Sequence, residues 1–378
     1  TFKTIMEKKE RFLSMLPFPD HVFHWAMLLP TEYRLDRAYD PNTYASITGR
    51  GQHRMVHDIS RDIRASKGRL THYLSIDAAK MYASIPHSLV KGNLRRKIKD
   101  PKLLRMFDTI IESAIGTPMG KPDASEPTGV PIGLKISTII ANMSFLYFDH
   151  DLRRCFRLGE NQAAARFWAE EYARQFIGSA KYPGDYEDIA KGEAFLQERF
   201  LGYLKEGIRR MYRFMDNVVV LHHDRVFLHV LLDMIGLYMG GEMHMELNAK
   251  WNVGALRDGL NIVGYRIFGD GHVRVMRELK AKIVKKIRKG RKLGLTDKQI
   301  RMATSSLLGQ MKHADSINFF RTYNMDSKRE RLGDKISRRK SQCPFIGISH
   351  NAQRRFEALL YNPEGGEPEE NYEMELLD

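Results

Sequence analysis

Hydrophobic positions along the chain change period several times, and each change predicts an element. Met55, Ile59 and Ile63 are spaced by four and predict a helix over 55–65 with one buried face. Residues 1–70 as a whole read as mostly helical with strand pieces. Tyr73-Leu74-Ser75-Ile76 is an apolar strand that delivers Asp77 at its end and then runs into a helix. Residues 88–120 read as a basic helical pair, with Lys91, Arg95, Arg96, Lys97 and Lys99 beside Leu94, Ile98, Leu103, Leu104 and Phe107. Pro118, Gly120, Pro122 and Gly129 then break the chain into a loop. Phe167, Trp168, Tyr172, Phe176 and Ile177 predict an amphipathic helix, Gly178 to Gly192 an exposed loop, and Phe195 to Leu204 a second helix.

The stretch Arg213 to Leu221 puts an acidic residue before a β-branched run, which predicts a β-hairpin tipped by Asp216, with Asp216-Asn217 as its turn pair. Phe227 to Tyr238 predicts a buried helix, and Gly269-Asp270-Gly271 a second hairpin turn. From 277 a helix carries the narrow stripe Leu279, Ile283, Ile287 among Lys280, Lys282, Lys285, Lys286, Arg288, Lys289, Arg291 and Lys292. Gly290 and Gly294 read as its stop, and Thr296 with Gln299 as the capping box of the next helix. No internal repeat is visible.

Composition narrows the class. A chain of 378 residues, 43% hydrophobic and 28% charged, is an ordinary globular one with room for two or three subdomains. No apolar run reaches the roughly 18 residues of a membrane span, so no membrane partner is expected. Cys155 and Cys343 lie far apart with no metal-ligand spacing, which fits a reducing cytoplasm. The chain opens on Thr, which leaves room for a missing start or a removed targeting peptide. The formal net charge is +15, an excess that favours polyanions because each neutralised phosphate releases counterions. Residues 325–356 add a further basic cluster, and from Glu364 an acidic tail within 357–378 reads as disordered. Without that tail the body is more basic still.

The sharpest chemical signal is the pair Asp77 and Asp216. Two strand-end carboxylates brought together can hold two Mg2+ ions for in-line phosphoryl transfer, hard oxygens suiting a hard cation. Taken alone, an Asp-Asn pair is most often a solvated turn.

Both stretches resemble the palm motifs of reverse transcriptases. Asp77 matches the family's first catalytic aspartate, and Met215-Asp216-Asn217 its Tyr/Met-Asp-Asp turn. Gly129-Val130-Pro131-Ile132-Gly133-Leu134-Lys135-Ile136-Ser137-Thr138, followed by Ala141-Asn142, is similar to the Pro-x-Gly-x-x-x-Ser…Asn template-grip motif. Leu247-Asn248-Ala249-Lys250 resembles the Leu-Asn-x-Lys motif, and Ile262-Val263-Gly264-Tyr265-Arg266-Ile267 the strand pair of the primer grip. Ser306 to Ser316, with Lys312-His313, resembles the thumb of diversity-generating retroelement enzymes, the group this chain looks most like. The resemblance runs from about residue 9 to 324.

That resemblance implies an α+β right-hand polymerase. Fingers would occupy 1–72, and a palm with antiparallel sheet, remaining fingers elements and a helical insertion at 151–205 would occupy 73–268. A helical thumb and basic region would follow at 269–356. It implies catalysis by Asp77, Asp216 and Asn217, with Asp77 and Asp216 as ligands of two Mg2+ ions for which Mn2+ can substitute. Nucleotide contacts are implied for Arg11, Arg50, Ala78, Tyr82, Gly133 and Lys250, with Tyr82 as a steric gate against the ribose 2′-hydroxyl. Template and primer contacts are implied for Ser137, Asn142, Gly264, Tyr265 and Lys312. The glycines around Arg50 would push its guanidinium outward toward phosphate. Gly133 would let backbone approach template or nucleotide closely and share a helix face with Ser137. Partners would be an RNA template (a cognate non-coding RNA), a DNA product, dNTPs and an accessory protein or second copy, in the cytoplasm of a bacterial or phage-infected cell.

Two departures stand out. Asn217 replaces the usual second aspartate, and the 151–205 insertion is several tens of residues longer than the family pattern. The insertion would bind a partner or structured RNA, or simply pack on the palm. A catalytically weakened, RNA-binding subunit is the alternative to an active retroelement enzyme serving diversification or anti-phage defence.

Overall fold

The computed structural model describes residues 2–6, 10–115, 117, 126–179 and 186–323. The basic cluster of 325–356 and the acidic tail lie outside them. An antiparallel hairpin, β1 (Phe2–Met6) and β2 (Glu10–Ser14), precedes α1 (Phe18–Leu28), α2 (Glu32–Ala38) and α3 (Gln52–Ala65). β3 (His72–Ile76) leads into the single turn α4 (Met81–Ser84), then α5 (His87–Lys97) and α6 (Pro101–Glu112). α7 (Lys135–Ser144), α8 (Leu146–Arg153), α9 (Gln162–Ser179) and α10 (Tyr186–Glu206) follow. The hairpin β4 (Met211–Phe214) and β5 (Asn217–His222) feeds α11 (Arg225–Gly241) and β6 (Asn252–Ala255). β7 (Leu260–Ile262), β8 (Tyr265–Ile267) and β9 (Val273–Val275) form a separate antiparallel sheet before α12 (Arg277–Lys292), α13 (Asp297–Met311) and α14 (Ile317–Thr322). The class is α+β.

The central sheet runs β4-β5-β3-β6, all antiparallel, and both of its faces are buried. Side chains alternate across a strand, so Val218 and Val220 of β5 join the larger core while Val219 and Leu221 join the smaller one. On the first face α11 packs against β3, β5 and β6, and the larger core extends from there through residues of α5 to α10. The second is covered by the α3 stripe Met55, Val56, Ile59 and Ile63, together with Leu260, Ile262, Tyr265 and Ile267 of the small sheet. A third cluster holds α12 to α14 together through Ile283, Ile287, Ile300, Leu308, Met311, Phe319 and Phe320.

Helix starts follow their capping residues. The Asp100 side chain accepts from Lys102 N and Leu103 N with Pro101 at the first helical position, Asp224 does the same for α11, and Thr296 with Gln299 forms a complete capping box.

Three expectations change, and the packing of the insertion becomes visible. The two-residue hairpin loop is Met215-Asp216, because Phe214 pairs with Asn217, which is already the first residue of β5. Gly178 and Gly192 are helical, so the insertion is two long helices and only 180–185, outside the described residues, separates them. Those helices pack on the body: Ala165, Ala169, Tyr172, Ala173, Leu196, Phe200 and Leu204 are core residues beside Phe227 of α11. Gly290 does not stop α12 but sits inside it, where Ile300 of α13 lies so close that a Cβ would come within 2.7 Å of Ile300 Cγ1. The stop is Gly294, at φ +69°.

Candidate active site

β3 and β5 pair so that Ile76 faces Val218. Continued by one residue, that register sets Asp77 across from Asn217, next to Asp216 at the hairpin tip. Both aspartates are half-buried and Asn217 is exposed. Asn217 Nδ2 lies 3.3 Å from Asp216 Oδ1 and donates to it. The turn itself carries strain: Met215, a residue with a Cβ, sits at φ +57°.

Beyond Asp77 the backbone is fixed on its other side by the segment after α11. Ala78 bridges Leu247, Ala79 N donates to Glu246 O at 2.9 Å, and Asn248 N donates to Asp77 O at 2.9 Å. The Asn248 side chain then donates to Asp77 Oδ2 at 2.8 Å, while its own Oδ1 accepts from Lys250 N at 3.1 Å. Exposed Lys250 is therefore two residues from a direct ligand of the Asp77 carboxylate. The motif's resemblance implies a role for its lysine, and the structure adds the asparagine.

Tyr82, on α4, is half-buried against the larger core, and its carbonyl accepts from Val130 N at 2.8 Å. Gly129 N donates to Ile85 O at 2.9 Å, so the segment leading to Gly133 is laced to α4. Gly133 adopts φ +99° two residues before α7 begins, so it shares no helix face with Ser137. Its conformation calls for glycine, and a Cβ there would make only ordinary contacts with Leu13 and Ser14.

Other expected contacts point inward. Ser137 and Asn142 are each about 1% exposed, and Asn142 donates to Ala45 O at 2.8 Å and accepts from Arg213 Nη1 at 3.1 Å. Tyr265, equally buried, shares its hydroxyl with His53 Nδ1 at 2.9 Å and Gln310 O at 2.8 Å, and burial pushes its pKa up to about 12. These three side chains present no surface to a template in this conformation. Ala78 is 3% exposed. Arg50 does not point outward: although Gly49 and Gly51 take positive φ as anticipated, its Nη1 donates to Asp40 O at 2.8 Å and Thr43 O at 2.9 Å. Gly264, at φ +88°, turns β7 into β8, and Lys312 is exposed just past α13. Arg11 lies on β2 opposite Ile5, and its side chain is outside the described residues.

The hairpin has an anchor that the sequence did not announce. Arg213 is fully buried and so is Asp149 of α8, with Arg213 Nε 2.8 Å from Asp149 Oδ1 and Nη2 2.7 Å from Oδ2. Thr43 Oγ1 donates to Asp149 Oδ2 at 2.9 Å, and Arg213 Nη1 donates to Met215 O at 2.8 Å. The 42–44 segment runs alongside β4, with Arg213 N donating to Asn42 O and Tyr44 N to Arg213 O, each at 2.9 Å.

Among the described residues no group of three or more His, Cys, Asp or Glu side chains is placed to hold a metal ion. Two half-buried carboxylates nevertheless suit Mg2+, which usually takes one or two carboxylates and completes its shell with water and substrate phosphate. No described helix is long and apolar enough to cross a membrane.

No protein-family model matches the chain, and no curated protein does. Solved structures similar to it include a telomerase from Candida tropicalis truncated from its C-terminal domain, at 11% identity over 73% of this chain and 54% of that one, TM-score 0.45. Telomerase from Candida albicans in complex with the TWJ fragment of telomeric RNA is similar at 10% identity, over 78% of this chain and 50% of that one, TM-score 0.45. Candida tropicalis telomerase with the same kind of fragment is similar at 10% identity, over 95% and 63%, TM-score 0.46. The chain thus spans less than two thirds of the length of each.

Proposed function

We propose that this chain is an RNA-directed DNA polymerase of a bacterial or phage retroelement, copying an associated RNA into DNA. The observation that carries the reading is the β3–β5 register, which brings Asp77 to the tip of the hairpin that bears Asp216. Motifs that resemble the family's, in family order along the chain, support it.

In this reading residues 1–72 are fingers, 73–268 palm and 269–323 the described part of the thumb. Asp77 and Asp216 would hold two Mg2+ ions, which when bound lower the pKa of the primer 3′-hydroxyl and neutralise the triphosphate. The chain's own part is positioning and charge. Asn248 orients the Asp77 carboxylate, Lys250 offers a cation to the triphosphate, and Tyr82 selects deoxyribose. The exposed cations of α12 offer phosphate contacts to a duplex. Whether the product serves diversification or defence follows from the RNA copied, and an accessory protein or second copy would complete the particle in the cytoplasm.

Primer extension by the purified full chain with Mg2+ and dNTPs on an RNA template tests this, with Asp77→Ala and Asp216→Ala as controls and co-purified RNA sequenced. Extension lost in both folded variants is the expected result, and full activity in either removes the site assignment. A second reading, an RNA-binding subunit with a weakened palm, is favoured by Asn217, whose amide stands where a carboxylate would ligate. Tight binding of one RNA without extension, even on that RNA as template, would establish it.

A further inference from the structure

We propose that Arg213 is a positioning residue: by donating to the Met215 carbonyl it holds the left-handed turn that presents Asp216, and the Asp149 carboxylate holds Arg213 in place. The inference rests on the polymerase reading for its functional consequence, but the structural claim stands apart from it.

The turn needs such a device. A two-residue hairpin loop with positive φ at its first position is comfortable for glycine, and here that position is Met215, at φ +57°. A strained conformation persists only where surrounding groups over-determine it. Arg213 supplies that constraint from directly beneath. Its Nη1 spans Met215 O at 2.8 Å and Asn142 Oδ1 at 3.1 Å, while Nε and Nη2 meet the Asp149 carboxylate. The fork is fully buried and its ring neighbour is Phe145, 5.2 Å from the guanidinium carbon. Thr43 and Asn142 tie the same knot to the 42–45 segment and to α7. A buried ion pair whose purpose was stability alone would be replaceable by apolar side chains. This one instead directs a hydrogen bond at the backbone of the residue preceding Asp216.

The test is a double-mutant cycle between Arg213→Lys and Met215→Gly. Lysine keeps a charge against Asp149 but has no planar fork to reach Asp149, Asn142 and Met215 together. Glycine accepts positive φ without help, so the turn no longer depends on Arg213. In the parent chain Arg213→Lys should lower kcat by about tenfold or more while the dNTP KM stays within about twofold, since the lost bond orients a catalytic group rather than binding substrate. In the Met215→Gly background the same change should cost no more than about twofold. Equal losses in the two backgrounds would overturn the proposal. If Arg213→Lys does not fold, the paired change Arg213→Met with Asp149→Leu removes both charges together and takes its place in the cycle.

An activity-free arm separates this claim from the functional reading. In methyl-labelled protein the Met215 resonance, identified by its loss in Met215→Leu, should move in Arg213→Lys. Movement without any extension by the parent chain would uphold the positioning role and reject the polymerase. An unmoved resonance would reject the positioning role whatever the activity.

Discussion

Asn248 and Asp77 are joined twice, by Asn248 N to Asp77 O at 2.9 Å and by Asn248 Nδ2 to Asp77 Oδ2 at 2.8 Å. The backbone bond places the strand end, and the side-chain bond sets the carboxylate's rotation. Asn248→Ala keeps the first and removes the second, together with the Oδ1 that accepts from Lys250 N. A hydrogen bond to a charged group contributes about 1.5–3 kcal/mol, so kcat/KM should fall roughly tenfold to a hundredfold. The Mg2+ concentration for half-maximal primer extension should rise with it. Unaltered Mg2+ dependence in a folded variant would detach Asn248 from the metal site.

Tyr82 distinguishes a selective role from a packing one. Its ring lies half-buried against the larger core, while its backbone carbonyl holds Val130 N. Tyr82→Ala keeps the backbone bond and removes the ring. A steric gate requires rNTP incorporation to rise by about tenfold or more relative to dNTP. A ring that merely fills space would instead cost stability, less than the roughly 3–5 kcal/mol of a fully buried aromatic, and leave the sugar ratio unchanged. Competition between matched rNTP and dNTP, read beside thermal unfolding, gives both answers at once.

The local patterns around this site were legible in the sequence, and the contacts between distant segments were not. Asp77 at a strand end, Asp216 at a hairpin tip and the Thr296 capping box are local patterns, set within a few residues, and all three are present. Nothing local marks Arg213 as buried. In a chain of net charge +15 a basic residue reads as surface, and its partner Asp149 is 64 positions away. The burial of Ser137, Asn142 and Tyr265 was not legible either: a motif fixes their order along the chain, but only tertiary packing decides which face is closed. Gly178 and Gly192 misled because glycine costs a helix only about 1 kcal/mol, which the core residues of α9 and α10 outweigh.

Two glycines in neighbouring helices should respond oppositely to the same change. At Gly309 of α13 nothing lies within 4 Å of a built Cβ, so Gly309→Ala should gain about 0.5–1 kcal/mol from helix propensity. At Gly290 of α12 the Cβ would meet Ile300 Cγ1 at 2.7 Å and Cδ1 at 3.2 Å. There the clash outweighs propensity, and Gly290→Ala should cost about 1–3 kcal/mol. Urea unfolding of the two variants decides it. Equal shifts of the same sign would mean that α12 and α13 do not approach as closely as described.

His222, the last residue of β5, should give the protein a stability gradient on the acid side of neutrality. Burial is the main cause that lowers its pKa from 6.5 to about 4, and the adjacent His223 and Arg199 add to it, while Asp224 opposes. Its ring packs on His223, Phe227 and Tyr203, and at Nδ1 accepts from Asp224 N at 3.1 Å; its backbone lies opposite His72 in the β3–β5 register. A folded-state pKa below the unfolded value means that the unfolded chain binds more protons between about 4 and 6.5. Stability contributed by neutral His222 is therefore complete above pH 6.5 and lost as pH falls toward 4, by about 2–3 kcal/mol in all. Replacing it by glutamine removes the titration but keeps a polar group of similar reach. The difference in unfolding free energy between parent and His222→Gln should narrow steadily from pH 7 to pH 4. If the two curves stay parallel across that window, the imidazole is charged in the folded state and the bond from Asp224 N cannot be made as described.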